Sequence, residues 1–91
     1  MVNEVYVIIS YDIGVERVNK VNQFLKRYLY WRLNSLFEGD ISESALAEVV
    51  DGLEGLINKN EDSILIYQLN SKKNVICTVI GVERSSLGLV L

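Results

Sequence analysis

Hydrophobic residues change their spacing several times along the chain, and each change marks a predicted strand or helix. From Val5 to Tyr11 apolar residues fill both alternating sets of positions apart from Ser10, which predicts a central strand of a sheet. From about Val15 the spacing becomes helical. Six apolar residues then fall on one side of a helix: Val18, Val21, Phe24, Leu25, Tyr28 and Leu29. The chain therefore opens with a strand and an amphipathic helix.

The rest of the sequence predicts three more strands and a second helix. A short strand is expected at about Leu33 to Glu38, and two more at 63–69 and 75–80. Ser42 is a suitable N-cap for the second helix, and Glu43 is well placed for the helix dipole. Apolar residues form one face of this helix: Leu46, Val49, Val50, Leu53 and Ile57. Two glycines, Gly52 and Gly55, weaken it and allow close packing.

This order of elements predicts an α+β fold of the ferredoxin-like type, with both helices on one face of the sheet. The order is β-α-β-β-α-β if the segment near Phe37 pairs as a hairpin, whereas a stricter interpretation gives β-α-β-α-β-β. We expect residues 1–81 to form the domain and 82–91 to form a C-terminal dimerisation segment. The apolar end of that segment predicts an extra strand on a sheet edge, such as that of a second protomer in a homodimer.

Composition restricts the chemistry that is available. The 91 residues include no histidine, which excludes histidine acid–base catalysis and imidazole ligation of a metal. The lone cysteine, Cys77, lies in an apolar run and is expected to be a buried thiol in a cytoplasmic protein. No apolar run predicts a membrane span, and no signal peptide is indicated. Hydrolysis would need carboxylates, hydroxyls, basic side chains or a hard metal ion.

Charge is distributed unevenly along a chain whose net charge is −3. Residues 17–32 contain no acidic side chain but five basic ones: Arg17, Lys20, Lys26, Arg27 and Arg32. A localised positive surface on an acidic background is typical of phosphate binding. The alternative is an ordinary solvated helix face.

Asp12 is the residue that chemistry singles out, because it follows the end of the predicted central strand. One carboxylate binds a metal poorly, but two copies of Asp12 near a two-fold axis could hold Mg²⁺ or Mn²⁺. The ion would activate water and neutralise charge on a phosphodiester. The alternative is that Asp12 caps the helix or shapes the turn, and chemistry alone favours that role. Tyr11 could orient a phosphate or water, although packing is the commoner role of such an aromatic.

Four segments carry a more specific signal, in the right order and spacing between residue 5 and about residue 83. They are Val7–Ile13, Gly14–Val21, Asn34–Gly39 and Glu61–Ser63. Together they resemble the CRISPR-associated Cas2 family. Where that family often has Trp-Val-Gln before Asn-Ser, this chain has Trp31-Arg32-Leu33, so that Arg32 could replace part of a lost polar function.

The resemblance implies a ferredoxin-like homodimer of the CRISPR adaptation machinery, the system that acquires new spacers. Such a protein partners with the CRISPR integrase on duplex DNA, and several members are metal-dependent endonucleases acting on RNA or duplex DNA. The resemblance favours Asp12 as the metal ligand and catalytic residue beside Tyr11, and it places Ser35 and Phe37 in a family motif. The predicted nucleic-acid contacts are Arg17, Lys20, Arg27 and Arg32.

Three alternatives to the nuclease remain open at this point. The first is a DNA-bridging subunit of the integrase complex that performs no hydrolysis, in which the basic helix follows the phosphates. The second is a small-molecule regulatory domain, since the same fold serves many functions. The third is a related toxin-type ribonuclease.

Overall fold

The computed structural model describes residues 3–70 and 72–85 of the chain. Within these residues it contains four strands and two helices in the order β-α-β-β-α-β, followed by a single 3₁₀ turn at Lys72–Asn74. The elements are β1 (Glu4–Asp12), α1 (Val15–Leu25), β2 (Tyr30–Leu33), β3 (Leu36–Ser42), α2 (Glu43–Leu56) and β4 (Ser63–Leu69).

The four strands form one sheet in the order β2-β3-β1-β4, in which all neighbouring strands are antiparallel. β1 is central, as its apolar pattern predicts, and Ile9 lies opposite Phe37 on one side and Ile66 on the other. Alternate residues of β1 pack with residues of both helices in one buried cluster, so the helices share a face of the sheet. The predicted ferredoxin-like fold is confirmed.

A hairpin replaces the single short strand expected at 33–38. β2 and β3 are joined by a two-residue turn in which Asn34 has a φ of 39°. Asparagine tolerates this left-handed conformation better than most residues. The hairpin order is therefore correct, and the stricter β-α-β-α-β-β interpretation is wrong.

The strand expected at 75–80 is also absent from the part of the chain that the structure describes. Residues 75–85 have no regular secondary structure, and Ile76 and Ile80 are more than nine-tenths exposed. The place beside β1 is taken by β4, so the four-stranded sheet is complete without a strand at 75–80. The expectation that Cys77 is buried is likewise wrong, because this thiol is exposed. The extra strand expected within 82–91 does not form in 82–85, and 86–91 lie outside the described residues.

Both helices begin where the sequence predicts. Ser42 caps α2 through a hydrogen bond that the backbone N–H of Ala45 donates to its hydroxyl oxygen, at 3.0 Å. α1 ends at Leu25, earlier than its apolar stripe suggests, but Leu29 in the following turn still reaches the core. Among the described residues, no helix is long and apolar enough to span a membrane.

Gly52 and Gly55 provide a matched pair for testing how α1 packs on α2. A Cβ atom on Gly52 would collide with the ring of Phe24, whereas a Cβ on Gly55 would meet nothing within 4 Å. Gly52→Ala should destabilise the protein by about 1 kcal/mol, since overpacking outweighs the gain in helix propensity. Gly55→Ala should stabilise it by about 0.5–1 kcal/mol. Urea denaturation of both variants measures the difference, and equal stabilisation would contradict this close packing.

Candidate functional site

Asp12 lies at the end of β1 with its side chain on the face of the sheet opposite the helices. It is exposed and stands opposite Ser63 in β4. The residue that caps α1 is Gly14, and no side chain caps that helix. Within residues 3–70 and 72–85, the Asp12 carboxylate has neither a hydrogen bond nor an ion pair. The structure therefore gives no support to a capping or turn-forming role for this carboxylate.

Tyr11 points the other way, into the core. Its ring stacks on Phe37 with the centroids 6.3 Å apart, and its hydroxyl donates a hydrogen bond to the side-chain oxygen of Asn22. Burial raises the pKa of the Tyr11 hydroxyl above its ordinary value. Tyr11 and Asp12 therefore lie on opposite faces of the sheet, and these contacts support a packing role for Tyr11, whose catalytic role stays a prediction.

Arg17 is enclosed by acidic side chains. Its guanidinium makes a two-pronged contact with Asp62, with Nε 2.6 Å from Oδ2 and Nη2 2.9 Å from Oδ1. Nη2 also lies 3.2 Å from Glu61 Oε1, and Nη1 lies 2.9 Å from Glu16 Oε1. These contacts leave no guanidinium nitrogen directed at a ligand, so the predicted phosphate contact by Arg17 is not supported.

The carboxylate of Asp62 is fully enclosed and fixes the loop that follows Asp12. It accepts hydrogen bonds from the backbone N–H groups of Gly14 and Asn58, each at 2.9 Å. The hydrogen bond from Arg17 holds the pKa of Asp62 well below its usual range, and these two N–H groups act in the same direction. We call this arrangement the Arg17–Asp62 latch. It joins the start of α1 to the loop before β4, directly beside the end of β1.

Arg32 is buried on the face of the sheet that carries Asp12. Its Nε lies 3.4 Å from Glu38 Oε2, and its Nη2 lies 3.0 Å from Glu83 Oε2 and 3.6 Å from the Cys77 sulfur. Tyr6 donates a further hydrogen bond to Glu38. Arg32 therefore ties the C-terminal segment to β2 and β3. Such an enclosed guanidinium does not support the predicted nucleic-acid contact.

Lys20 and Arg27 differ from these two arginines because both are exposed. Arg27 and Lys26 line a cleft together with Arg84 of the C-terminal segment. Arg84 was missed by the sequence analysis, since nothing in its surroundings along the chain relates it to the basic segment. We call the surface lined by Lys26, Arg27, Arg84, Tyr30 and Trp31 the basic cleft.

Ser35 is the second residue of the β2–β3 turn, and Phe37 lies within β3. The carbonyl oxygen of Ser35 accepts a hydrogen bond from the backbone N–H of Tyr11, at 3.1 Å. Phe37 is fully buried, which supports core packing and leaves no surface for a partner to contact. Both residues hold β1 and β3 together at the end where Asp12 emerges.

The described residues contain no cluster of three or more acidic, cysteine or histidine side chains that could hold a metal ion. Asp12 is nevertheless of the right chemical type, because Mg²⁺ is commonly bound through only one or two protein carboxylates. A second Asp12 from another copy of the chain would supply the pair. The donor chemistry fits a hard divalent ion if two chains meet near this edge of the sheet.

The fold is a four-stranded antiparallel sheet with two helices on one face. Where its central strand ends lies a carboxylate, Asp12, that has no partner among the described residues. These features define a ferredoxin-like protein with a candidate site at that end of the sheet. Comparison with known proteins gives the particular family. The sequence model described as CRISPR associated protein Cas2 matches residues 5–75. The chain belongs to the CRISPR-associated Cas2 family, which confirms the resemblance carried by its four motifs.

The relatives match over most of their length. The chain is 50% identical over 84 residues to "CRISPR-associated endoribonuclease Cas2 2" of Archaeoglobus fulgidus, covering 92% of this chain and 91% of the relative. It is 42% identical over 91 residues to the Cas2 endoribonuclease of Methanothermobacter thermautotrophicus, covering all of both chains. A crystal structure of Cas2 superimposes with a TM-score of 0.82 at 43% identity, covering 89% of this chain and 91% of that one.

Proposed function

We propose that this protein is an endoribonuclease of the CRISPR adaptation system that hydrolyses phosphodiester bonds with the help of Mg²⁺ or Mn²⁺. The observation that carries this proposal is the exposed Asp12 carboxylate at the end of β1, which has no partner among the described residues. The names of the relatives support it, because the proteins that are 50% and 42% identical are both called endoribonucleases. Membership of the family leaves no support for the regulatory-domain and toxin alternatives.

The roles of this chain's residues follow from where they lie. Asp12, one from each of two protomers, would hold the ion, which supplies an activated water and neutralises charge on the phosphate. The Arg17–Asp62 latch keeps the loop after Asp12 in place. The chain contains no histidine, so the proton lost by the attacking water and the proton gained by the leaving oxygen would be exchanged with solvent or with a carboxylate.

A homodimer is part of this proposal, since each chain offers only one Asp12. The sheet face that carries Asp12 also exposes Leu65 and Tyr67 of β4, each by more than half. Apolar side chains on a face that no helix covers favour association with a second copy. We also propose a cytoplasmic location, which the single exposed thiol of Cys77 supports.

The second candidate function is a bridging subunit that binds duplex DNA beside the CRISPR integrase without cutting it. Exposed cations favour it: Lys20, Lys26, Arg27 and Arg84 all face solvent. Phosphate contacts of this kind release counterions, so duplex binding would weaken steeply with added salt. The two functions are compatible, because the cations and Asp12 are different residues.

Metal removal tests the nuclease directly. Purified protein is incubated with labelled single-stranded RNA or duplex DNA in Mg²⁺, in Mn²⁺, or in excess chelator. Cleavage of RNA is expected with either ion, none with chelator, and full recovery when the ion is returned. Cleavage that persists in chelator would overturn the metal requirement. If no condition gives cleavage, the bridging subunit is the better account.

A further inference from the structure

The basic cleft is a separate feature from the Asp12 edge. It has a volume of about 580 Å³ and runs between the turn that ends α1, strand β2 and the C-terminal segment. Three cations line it, Lys26, Arg27 and Arg84, together with the aromatic residues Tyr30 and Trp31. No residue of β1 lines it.

The charge in the cleft is of one sign. None of the described residues that line it is acidic. Within residues 3–70 and 72–85, none of its three cations forms an ion pair, whereas Arg17 and Arg32 are enclosed by carboxylates. On a chain with a net charge of −3, such a concentration of unpaired positive charge favours an anionic ligand.

The aromatic residues narrow the choice of anion. The Tyr30 side chain is 57% exposed, although it begins a strand. The Trp31 indole is half-buried and held in place by the hydrogen bond that its N–H donates to the Asn34 carbonyl, at 3.1 Å. Flat rings beside cations suit a ligand that combines a base with phosphate groups. The bases of a single strand are free to stack on such rings, whereas those of a duplex are stacked on one another.

We propose that the basic cleft binds single-stranded nucleic acid, with one base against Tyr30 and the neighbouring phosphates on Lys26, Arg27 and Arg84. This inference rests on the proposed function insofar as nucleic acid is the substrate, and it gives the substrate a second contact away from Asp12. Trp31 forms the fixed wall of the cleft. A strand held here would be positioned on the protein without depending on the metal ion.

Binding measured in chelator separates this proposal from the nuclease. Fluorescence anisotropy is followed with three labelled probes of equal length: a single-stranded RNA, an RNA duplex and an abasic single strand. We expect the wild type to bind the base-bearing single strand about tenfold more tightly than the abasic one, the scale of one base–aromatic stack. Tyr30→Ala should remove that difference, and Tyr30→Phe should keep it because the ring is retained.

The cations are tested by the salt dependence of the same binding. Arg84→Ala should weaken binding of both single strands and reduce the slope of log K against log salt by about 0.7, the contribution of one phosphate contact. Lys72→Ala is the matched control, since it removes one exposed cation that does not line the cleft. Tyr30 and Arg84 are exposed, so thermal melting should show that these variants stay folded.

Three results would overturn the proposal. They are equal affinity for base-bearing and abasic strands, unchanged binding in Tyr30→Ala and Arg84→Ala, and tighter binding of the duplex than of the single strand. The second result would show that the strand binds elsewhere on the protein. A failure of the nuclease proposal would instead appear as absent cleavage in Mg²⁺ and leave these binding results unaffected.

Discussion

Replacing Asp12 with alanine is expected to remove metal-dependent cleavage of RNA while leaving the protein folded. The side chain is exposed and makes no contact within the described residues that the fold would lose. Its loss would remove the carboxylates that hold the ion, and with them several kcal/mol of transition-state stabilisation, or about a thousandfold in rate. Single-turnover cleavage of labelled RNA in Mg²⁺ measures the change.

Asp40→Ala is the matched control for this experiment. Asp40 is an exposed carboxylate of β3 that faces the same side of the sheet, opposite Tyr6 of β1. It should retain wild-type activity, because it lies away from the end of β1. Both variants should keep the elution volume of the wild type on size exclusion. Cleavage by Asp12→Ala at the wild-type rate would show that Asp12 is not at the reacting centre.

Asp62→Asn should lower the thermal midpoint of the protein by several degrees at neutral pH. The substitution keeps the shape of the side chain but leaves the guanidinium of Arg17 without its principal partner in an enclosed position. Removing one member of a buried ion pair is strongly destabilising. Glu54→Gln breaks the exposed pair between Glu54 and Lys59 and should leave the midpoint unchanged, since surface pairs contribute little.

The same variant reveals how stability depends on pH. The folded pKa of Asp62 is depressed below the ordinary aspartate value of about 3.9, so its contribution is fully present above that value. As the pH falls below about 4, the contribution is progressively lost towards the lower folded pKa. The midpoints of wild type and Asp62→Asn should therefore converge in acid. A difference that stays constant down to pH 2 would contradict the ionised latch.

Hydrophobic periodicity correctly predicted the elements whose buried residues follow a regular pattern in the sequence. β1 is apolar on both sides because it is central, and α2 combines a serine cap with an apolar face. The hairpin order was one of the two predicted, but the position of its turn was missed, because that turn depends on Asn34 adopting a left-handed conformation in an otherwise continuous run. The apolar run at 75–80 was misassigned, since β-propensity does not show whether a segment lies beside a strand with which it can pair.

The candidate site was predictable only in part. Asp12 could be found because a carboxylate that ends a central strand is a local signal. Arg17 and Arg32 looked equivalent to Lys20 and Arg27, since the acids that enclose them lie far along the chain at Asp62 and Glu83. Charge counting cannot distinguish a paired arginine from a free one until the fold brings its partners together.

Arg32 has a consequence for how this sequence can change in evolution. It occupies a position where the resemblance to the family suggested an uncharged residue, and it is buried against Glu38 and Glu83. Losing Arg32 leaves the two carboxylates without their cation in a poorly solvated place. Replacing Arg32 by an uncharged residue therefore requires that its carboxylate partners are replaced as well. Sequence change in strand β2 is in this way coupled to sequence change in the C-terminal segment.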